Sequence, residues 1–421
     1  KRRERDLEAP PPERQEDLAA ELKRLQNVVL NRVRGMQVTT VWVHGAFKIE
    51  NLIFDDKSRS LCGVIDWELS EAEGLATAHG QEELVALAAY YRGCLLFARG
   101  DVDGCMTQHA EAVRHARAAG QPRTEALALS GLGDAYYARS RIGQALEVIR
   151  QCVELSRAHG FGRIEVANLY MVGALRALEN DTEAGVHDCL EAVRMAARVG
   201  NRRAEMLAAL NAGICLTVRG ETTAALEWIA KANRIAEAMD TRGFLGVIYA
   251  FEARARILGG ERELGLERAR EALALARDGN MRFFGGLALG ALARATDAVQ
   301  ERERALDEGE QVLSEPCMSH NYFYFYDDAI EVWCSLDRWD RLDRCAAALD
   351  AVDAAAPIGR CRVLAARARA LARLGRDPQD EAALELGRAV LAEVIAADLR
   401  PLRAALERAL GHVRPHGEAQ A

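Results

Sequence analysis

Apolar and small residues between about positions 80 and 300 recur at three- and four-residue spacing, in runs that stop at turn residues. That is the pattern of consecutive amphipathic helices. One run goes from Ile142 to His159 and closes on Gly160, a natural C-terminal stop. Turn signals stand at Gly100, Asn180-Asp181, Gly220 and Gly259-Gly260, between the helices of a pair, and at Gly120, Gly200 and Gly279-Asn280, between pairs. Glycine occupies 93, 133, 173 and 213, forty residues apart, and Ala253 and Ala293 continue the series. Twelve residues beyond these, positions 105, 145, 185, 225, 265 and 305 read Cys, Ala, Gly, Ala, Gly, Ala. Seven further on, positions 112, 152, 192, 232, 272 and 312 read Ala, Cys, Ala, Ala, Ala, Val. Small side chains in register let antiparallel helices approach to about 8 Å. The pattern predicts a mostly α fold, an α-solenoid of about seven or eight helix-turn-helix pairs with a 40-residue period.

The first part of the chain is patterned differently. Residues 17–40 read as a helix, followed by the short strand "TTVWV". "NLIFDD" and "LCGVIDWE" then alternate around the turn Asp55 to Ser60, as in a β-hairpin. The expected organisation is a charged, proline-rich tail over 1–16, a small α/β segment over 17–75, regular repeats over 80–315, degenerate repeats and a cap over 316–410, and a tail over 411–421. Register is lost after about residue 296. The aromatic run Tyr322 to Tyr326 opens a helix there, as core or as a ligand patch.

Charge and cysteine usage narrow the function classes. A net charge of −8 and a pI near 5.7 supply no basic field for a phosphate backbone, so nucleic acid is not expected as a partner. No run approaches the 18 apolar residues of a bilayer span, so no membrane is expected either. The ten cysteines include no C-x-x-C pair and no histidine at zinc spacing, and read as reduced, mostly buried thiols of a cytoplasmic protein. No metal site and no cofactor is expected for the repeats. The chain begins at Lys1 without methionine or a signal-peptide core, as expected of a fragment of a longer product.

Leu132, Gly133, Tyr136, Ser140 and Ala145 give the spacing Leu-Gly-x-x-Tyr followed by small residues, which resembles the tetratricopeptide repeat. The usual repeat has about 34 residues; a longer second helix is the expected source of the difference. The segment from about Gly80 to Leu410, with its "RIEVANLY" and "REALALAR" runs, resembles the repeat region of multidomain bacterial adenylate or guanylate cyclases that also carry an ATPase module. No G-x-x-x-x-G-K-[ST] phosphate loop occurs. The resemblance implies a regulatory scaffold whose concave groove takes a protein or peptide partner. Carried over position by position, the groove residues are Tyr90, Cys94, Phe97, Ser130, Asp134 and Tyr137, continued by Tyr170, Leu207, Leu210 and Arg254. Each aromatic among them has packing against a neighbouring helix as its alternative role.

The stretch "VHGAFKIENLIF" at 43–54, with "GVIDWE" at 63–68, resembles the catalytic core of aminoglycoside and choline-type phosphotransferases, H-G-D-x-x-x-x-N followed by I-D-[WF]. In that family the aspartate after H-G accepts the substrate proton, and the asparagine and later aspartate hold Mg²⁺ on ATP. His44, Asn51 and Asp66 match, but Ala46 stands where the base belongs and can accept no proton. The loop reads as a degenerate, inactive remnant capping the repeats. Asn51 and Asp66 also suit local backbone capping without a metal. A small-molecule phosphotransferase using Mg-ATP is the alternative function.

Overall fold

The computed structural model describes residues 81–279 and 281–411. The expected tail, hairpin and phosphotransferase-like loop at the N-terminus lie outside these residues. Among the described residues there are seventeen α-helices in tandem. They begin with α1 (Glu82–Ala98), α2 (Val102–Ala118), α3 (Pro122–Ala138), α4 (Ile142–Ala158), α5 (Gly162–Leu178) and α6 (Thr182–Arg198). Next come α7 (Arg202–Arg219), α8 (Thr222–Ala238), α9 (Arg242–Leu258), α10 (Arg262–Arg277), α11 (Gly286–Ala295) and α12 (Val299–Leu313). The last are α13 (Ser319–Ser335), α14 (Trp339–Ala355), α15 (Gly359–Arg376), α16 (Glu381–Ala396) and α17 (Arg403–Gly411). The described residues form a tetratricopeptide-like α-solenoid of helix pairs.

Helices α1 to α10 start twenty residues apart, from 82 to 262. The reason is a repeated stop. Gly100, Gly120, Ser140, Gly160, Asn180, Gly200, Gly220, Asp240 and Gly260 all have positive φ, one every twenty residues. Each reverses the backbone after a helix, and the amide that follows it reaches back to the last turn: Asp101 N donates to Leu96 O at 2.9 Å, Arg141 N to Tyr136 O at 2.9 Å, and Glu221 N to Leu216 O at 2.9 Å. This Schellman closure satisfies the orphan carbonyls. Asp101 and Asn201 then cap the next helix, accepting from Gly104 N (2.9 Å) and Ala204 N (3.1 Å).

The glycine ladder lies where paired helices touch. A Cβ added at Gly93, Gly133, Gly173 or Gly213 would come within 2.9, 2.4, 2.6 or 2.5 Å of His109, Ile149, the Gly185 carbonyl or Ile229. Hydrogen is the only side chain that fits without displacing its neighbour.

The register changes at α11. A π-helical turn, Met281–Gly285, leads into it and buries Phe284 against Gly246. The helix stops at Ala295, where Thr296 turns extended. Arg262 donates to the Ala295 carbonyl at 2.7 Å, and Arg302 to the Thr296 carbonyl at 2.7 Å, so two guanidinium groups take up the carbonyls of the early stop. Helix starts then resume twenty residues apart at 299, 319, 339 and 359, displaced by three from the earlier series.

The described residues fall into two compact units: 81–135 with Val148–Glu165, and Tyr136–Glu147 with 166–411. The first unit is built around Ala89, Tyr90, Cys94, Ala112, Val113, Ala126, Leu129 and Cys152. His109 stands in it at the position that Ile149, Cys189, Ile229 and Ala269 hold in later repeats. It is buried, and its Nδ1 has no partner. In the second unit, Phe323, Tyr324, Phe325 and Tyr326 are buried, so the aromatic run is core. Of the nine described cysteines seven are buried, and burial pushes the Cys152 thiol up to about 12.

Two predictions follow from this packing. Gly173→Ala is expected to lower stability by about 2 kcal/mol in urea unfolding, whereas Gly143→Ala, whose Cβ would meet nothing within 4 Å, raises it by about 0.5 kcal/mol. Equal effects at the two sites would contradict the close-approach account. Burial lowers the His109 pKa from 6.5 to about 4. Because the folded value lies below the unfolded one, the neutral ring's contribution is complete above pH 6.5 and is lost as pH falls toward 4. The opening free energy of α1 and α2 amides in hydrogen exchange is expected to fall by about 3 kcal/mol over that window, and by far less in His109→Ile; an unchanged slope in the variant would show that His109 is not its source.

Candidate functional site

The ten groove residues expected from the repeat register divide unevenly between interior and surface. In the first unit Tyr90, Cys94 and Ser130 are buried, while Phe97 and Asp134 keep partial exposure. The Tyr90 ring lies 5.6 Å from that of His109, and burial pushes the Cys94 thiol up to about 12, so both belong to the core. Tyr91, which the register did not single out, is the aromatic left exposed beside them, at 45%. Its signal was faint: one position along the helix from a buried tyrosine.

In the second unit Tyr170, Leu207, Leu210 and Arg254 are buried, and none of them offers a side chain to an open groove. Tyr137 is half-buried and its hydroxyl pairs with His320 Nδ1 at 3.1 Å. His320 Nε2 must donate to the Phe283 carbonyl, 2.5 Å away, which leaves Nδ1 as the acceptor for Tyr137.

Later helices of the second unit return to earlier turns. The α3–α4 turn meets the start of α13, with Ser140 N donating to Ser319 Oγ at 3.0 Å. The α5–α6 turn meets the start of α15, where Gly359 N donates to Glu179 Oε2 at 3.0 Å, and Thr182 Oγ1 donates to the Ala397 carbonyl at 2.9 Å. The α7–α8 turn meets the 398–401 segment, through Arg219 to Asp398 at 2.9 Å and Gly220 against Arg400 and Pro401. The sequence offset is 179 at the first contact and 180 at the second, which lies about one forty-residue repeat further along. The coil closes on itself after about four and a half repeats of forty residues, and its inner wall becomes interior.

At the centre of that wall four arginines meet three carboxylates. Arg254 on α9 donates through Nη2 to Asp327 (2.9 Å) and through Nη1 to Asp328 and to the Tyr324 carbonyl (2.9 Å), and its guanidinium lies 5.2 Å from the Tyr324 ring centre. Arg294 on α11 reaches Asp328 Oδ1 at 3.0 Å. Arg360 on α15 reaches Asp327 Oδ2 at 3.3 Å, and Arg367 pairs with Glu331 and with the Leu402 carbonyl (2.9 Å). Arg254 and Arg360 are 3% exposed, Arg367 and Asp328 0%. Burial pushes the Asp327 carboxyl up, but Arg360, Arg254, Arg294 and Arg367 outweigh it and hold it below the ordinary carboxylate value. For Asp328 burial prevails over Arg254 and Arg294 and, with Asp327, raises it. Removing water makes each unpaired charge here costly, so partners are retained together.

Among the described residues no three His, Cys, Asp or Glu side chains gather as a metal site, and no helix is long and apolar enough to cross a membrane. His44, Ala46, Asn51 and Asp66 lie outside the described residues.

Residues 1–72 match the phosphotransferase enzyme family. No curated protein matches the chain. Among solved structures, a Rap protein complexed with competence and sporulation factor is similar, with a TM-score of 0.52 and 13% identity, over 68% of this chain and 84% of that one. Aspartyl phosphate phosphatase F from Bacillus subtilis gives a TM-score of 0.50 and 14% identity, over 66% of this chain and 73% of that one. A signal transduction ATPase with a tetratricopeptide repeat sensor from Pyrococcus horikoshii gives 0.42 and 13%, over 83% of this chain and 50% of that one. The likeness of the first two is one of fold.

Arg254→Met is expected to lower the stability of the second unit by about 3–5 kcal/mol, because it takes one of two arginine partners from each of Asp327 and Asp328 in the interior. Adding Asp328→Leu recovers part of that loss in chemical unfolding. A single-variant cost below about 1 kcal/mol would mean that the pair is hydrated rather than buried.

Proposed function

We propose that this chain is a regulatory interaction scaffold that holds a protein or peptide segment. The supporting observation is a tandem array whose first ten helices start twenty residues apart, with Tyr91 exposed and Phe97 and Asp134 part-exposed in the first unit. The array shares its fold with a Rap protein whose structure was solved with competence and sporulation factor, which favours a protein or peptide as the partner class. Tyr91, Phe97 and Asp134 supply the contacts in the first unit. Aromatic anchors with an acidic neighbour suit a segment carrying apolar and basic side chains. On this reading the protein works in the cytoplasm, needs no cofactor for the array, and is the sensor part of a larger signalling protein such as a cyclase or signalling ATPase.

Selection of a displayed random peptide library on the purified chain tests this reading. One enriched sequence family is expected, with Tyr91→Ala and Phe97→Ala each weakening binding at least tenfold, about 1.4 kcal/mol, at unchanged thermal midpoint. Failure to enrich any family, or binding indifferent to both substitutions, would contradict it.

The family match over residues 1–72 favours a second reading, an ATP-dependent small-molecule phosphotransferase. His44, Asn51 and Asp66 stand at matching positions, and Ala46 removes the base. The scaffold reading expects no phosphate transfer from Mg-ATP to an aminoglycoside. Saturable stabilisation by Mg-ATP that disappears in both Asn51→Ala and Asp66→Ala, together with measurable transfer, would favour the enzyme.

A further inference from the structure

We propose that a cleft in the second unit binds a carboxylate group on Arg360. The cleft is lined by Ile214, Thr217 and Val218 of α7, Phe251, Arg254 and Leu258 of α9, Tyr324 and Asp327 of α13, Arg360 of α15 and by Pro401. Its wall is therefore mostly apolar, with the charges gathered at one end. Three observations converge there.

First, the cluster is unbalanced: Arg254, Arg294, Arg360 and Arg367 face Asp327, Asp328 and Glu331, four cations against three anions. Second, Arg360 and Arg367 each keep a buried Nη1 without a partner, and of the two Arg360 lines the cleft. Both terminal nitrogens of Arg254 are engaged, and the Thr217 hydroxyl donates to the Gly213 carbonyl at 2.7 Å. Arg360 Nη2 holds Asp327, but its Nη1 is buried without a partner in a side chain 3% exposed. A buried guanidinium nitrogen left unsatisfied is costly, and an anion is the partner that offsets both the missing hydrogen bond and the surplus charge. Third, the space is selective. The cleft is open on one side, and its enclosed part has room for about one water-sized atom.

That geometry selects among anions. A phosphate spreads its charge over three oxygens, and among the residues lining the cleft one buried nitrogen, Arg360 Nη1, lacks a partner. A carboxylate seats one oxygen on Arg360 Nη1 and leaves the other at the mouth, beside Leu258. The low-dielectric wall strengthens the contact. The carboxylate is supplied either by a free small acid or by a polypeptide terminus, and the site stands independently of the peptide strip of the first unit.

Acetate is the first probe. Thermal midpoints of the full chain are measured in sodium acetate and in sodium chloride at one ionic strength and pH. Acetate is expected to raise the midpoint with saturation, and chloride is not. The gain disappears in Arg360→Gln. Because that variant also removes a partner of Asp327, binding is read separately from stability by ¹⁹F line broadening of trifluoroacetate, in the natural chain and in Leu258→Trp, which blocks the mouth and leaves Arg360 in place. Broadening lost in both variants supports the site. A Gly-Ser hexapeptide with a free C-terminus that displaces trifluoroacetate better than acetate does, while its amidated form does not, identifies a polypeptide source; acetate as the stronger competitor identifies a small acid. Chloride equal to acetate, or broadening that survives both substitutions, overturns the proposal.

Discussion

A left-handed residue every twenty positions is the constraint on which the architecture rests. It ends each of the first helices, α1 to α9, after about the same number of turns and aims the next one back along it, so that successive pairs there copy one another. Equal helices alone would still not pack closely. The missing Cβ atoms at Gly93, Gly133, Gly173 and Gly213 let the two helices of each pair touch, and they recur at twice the helix period. Stop and contact together convert a local rule into a constant step per repeat. Repeated without interruption, a constant step generates a coil.

In the second unit the coil returns to itself, and contacts 179 and 180 residues apart appear as a consequence of the step. The three-residue displacement after α11 belongs to the same geometry. It places Ser319 and Gly359, rather than residues three further along, opposite the turns at Ser140 and Glu179. Closure then moves polar side chains into the interior. Arg254 would be a groove residue in an open coil; here α13 supplies it with two aspartates. Desolvation penalises those charges heavily, and their mutual pairing specifies one way of bringing α9, α11, α13 and α15 together. The unit gains a defined interior at the expense of a free groove, which is why the first unit carries the proposed partner contacts.

How much of this was legible depended on the range of the interaction. The solenoid could be read because glycine at a fixed period is a local mark of close approach, and Gly100, Gly120, Gly160, Gly200, Gly220 and Gly260 mark their turns openly. Ser140, Asn180 and Asp240 adopt the same reversed backbone without glycine, so their turns are quieter. The early stop of α11 depends on Arg262 and Arg302 reaching its last carbonyls, which no periodicity reveals. The groove assignment was the least legible. A repeat register shows which side of a helix turns inward, yet Leu207 and Leu210 are buried and Arg254 is covered by α13, far along the chain. Asp327 and Asp328 were hidden in "NYFYFYDDAIEVW", where the aromatic run drew attention and proved to be the core around them. His44, Asn51 and Asp66 were found by motif alone, and the family match over 1–72 agrees with that reading of the segment.

The central claim, that the second unit is a closed coil, is tested most directly by a cross-link across its return contact. Ser140 and Ser319 present hydroxyl oxygens 2.9 Å apart although 179 residues separate them. In the double variant Ser140→Cys/Ser319→Cys the account predicts a disulfide under mild oxidation of the native chain, absent from either single variant, since the side chains already meet. A pair that stays reduced until the chain is unfolded would show that the turn and the start of α13 are apart, and would contradict the closed coil.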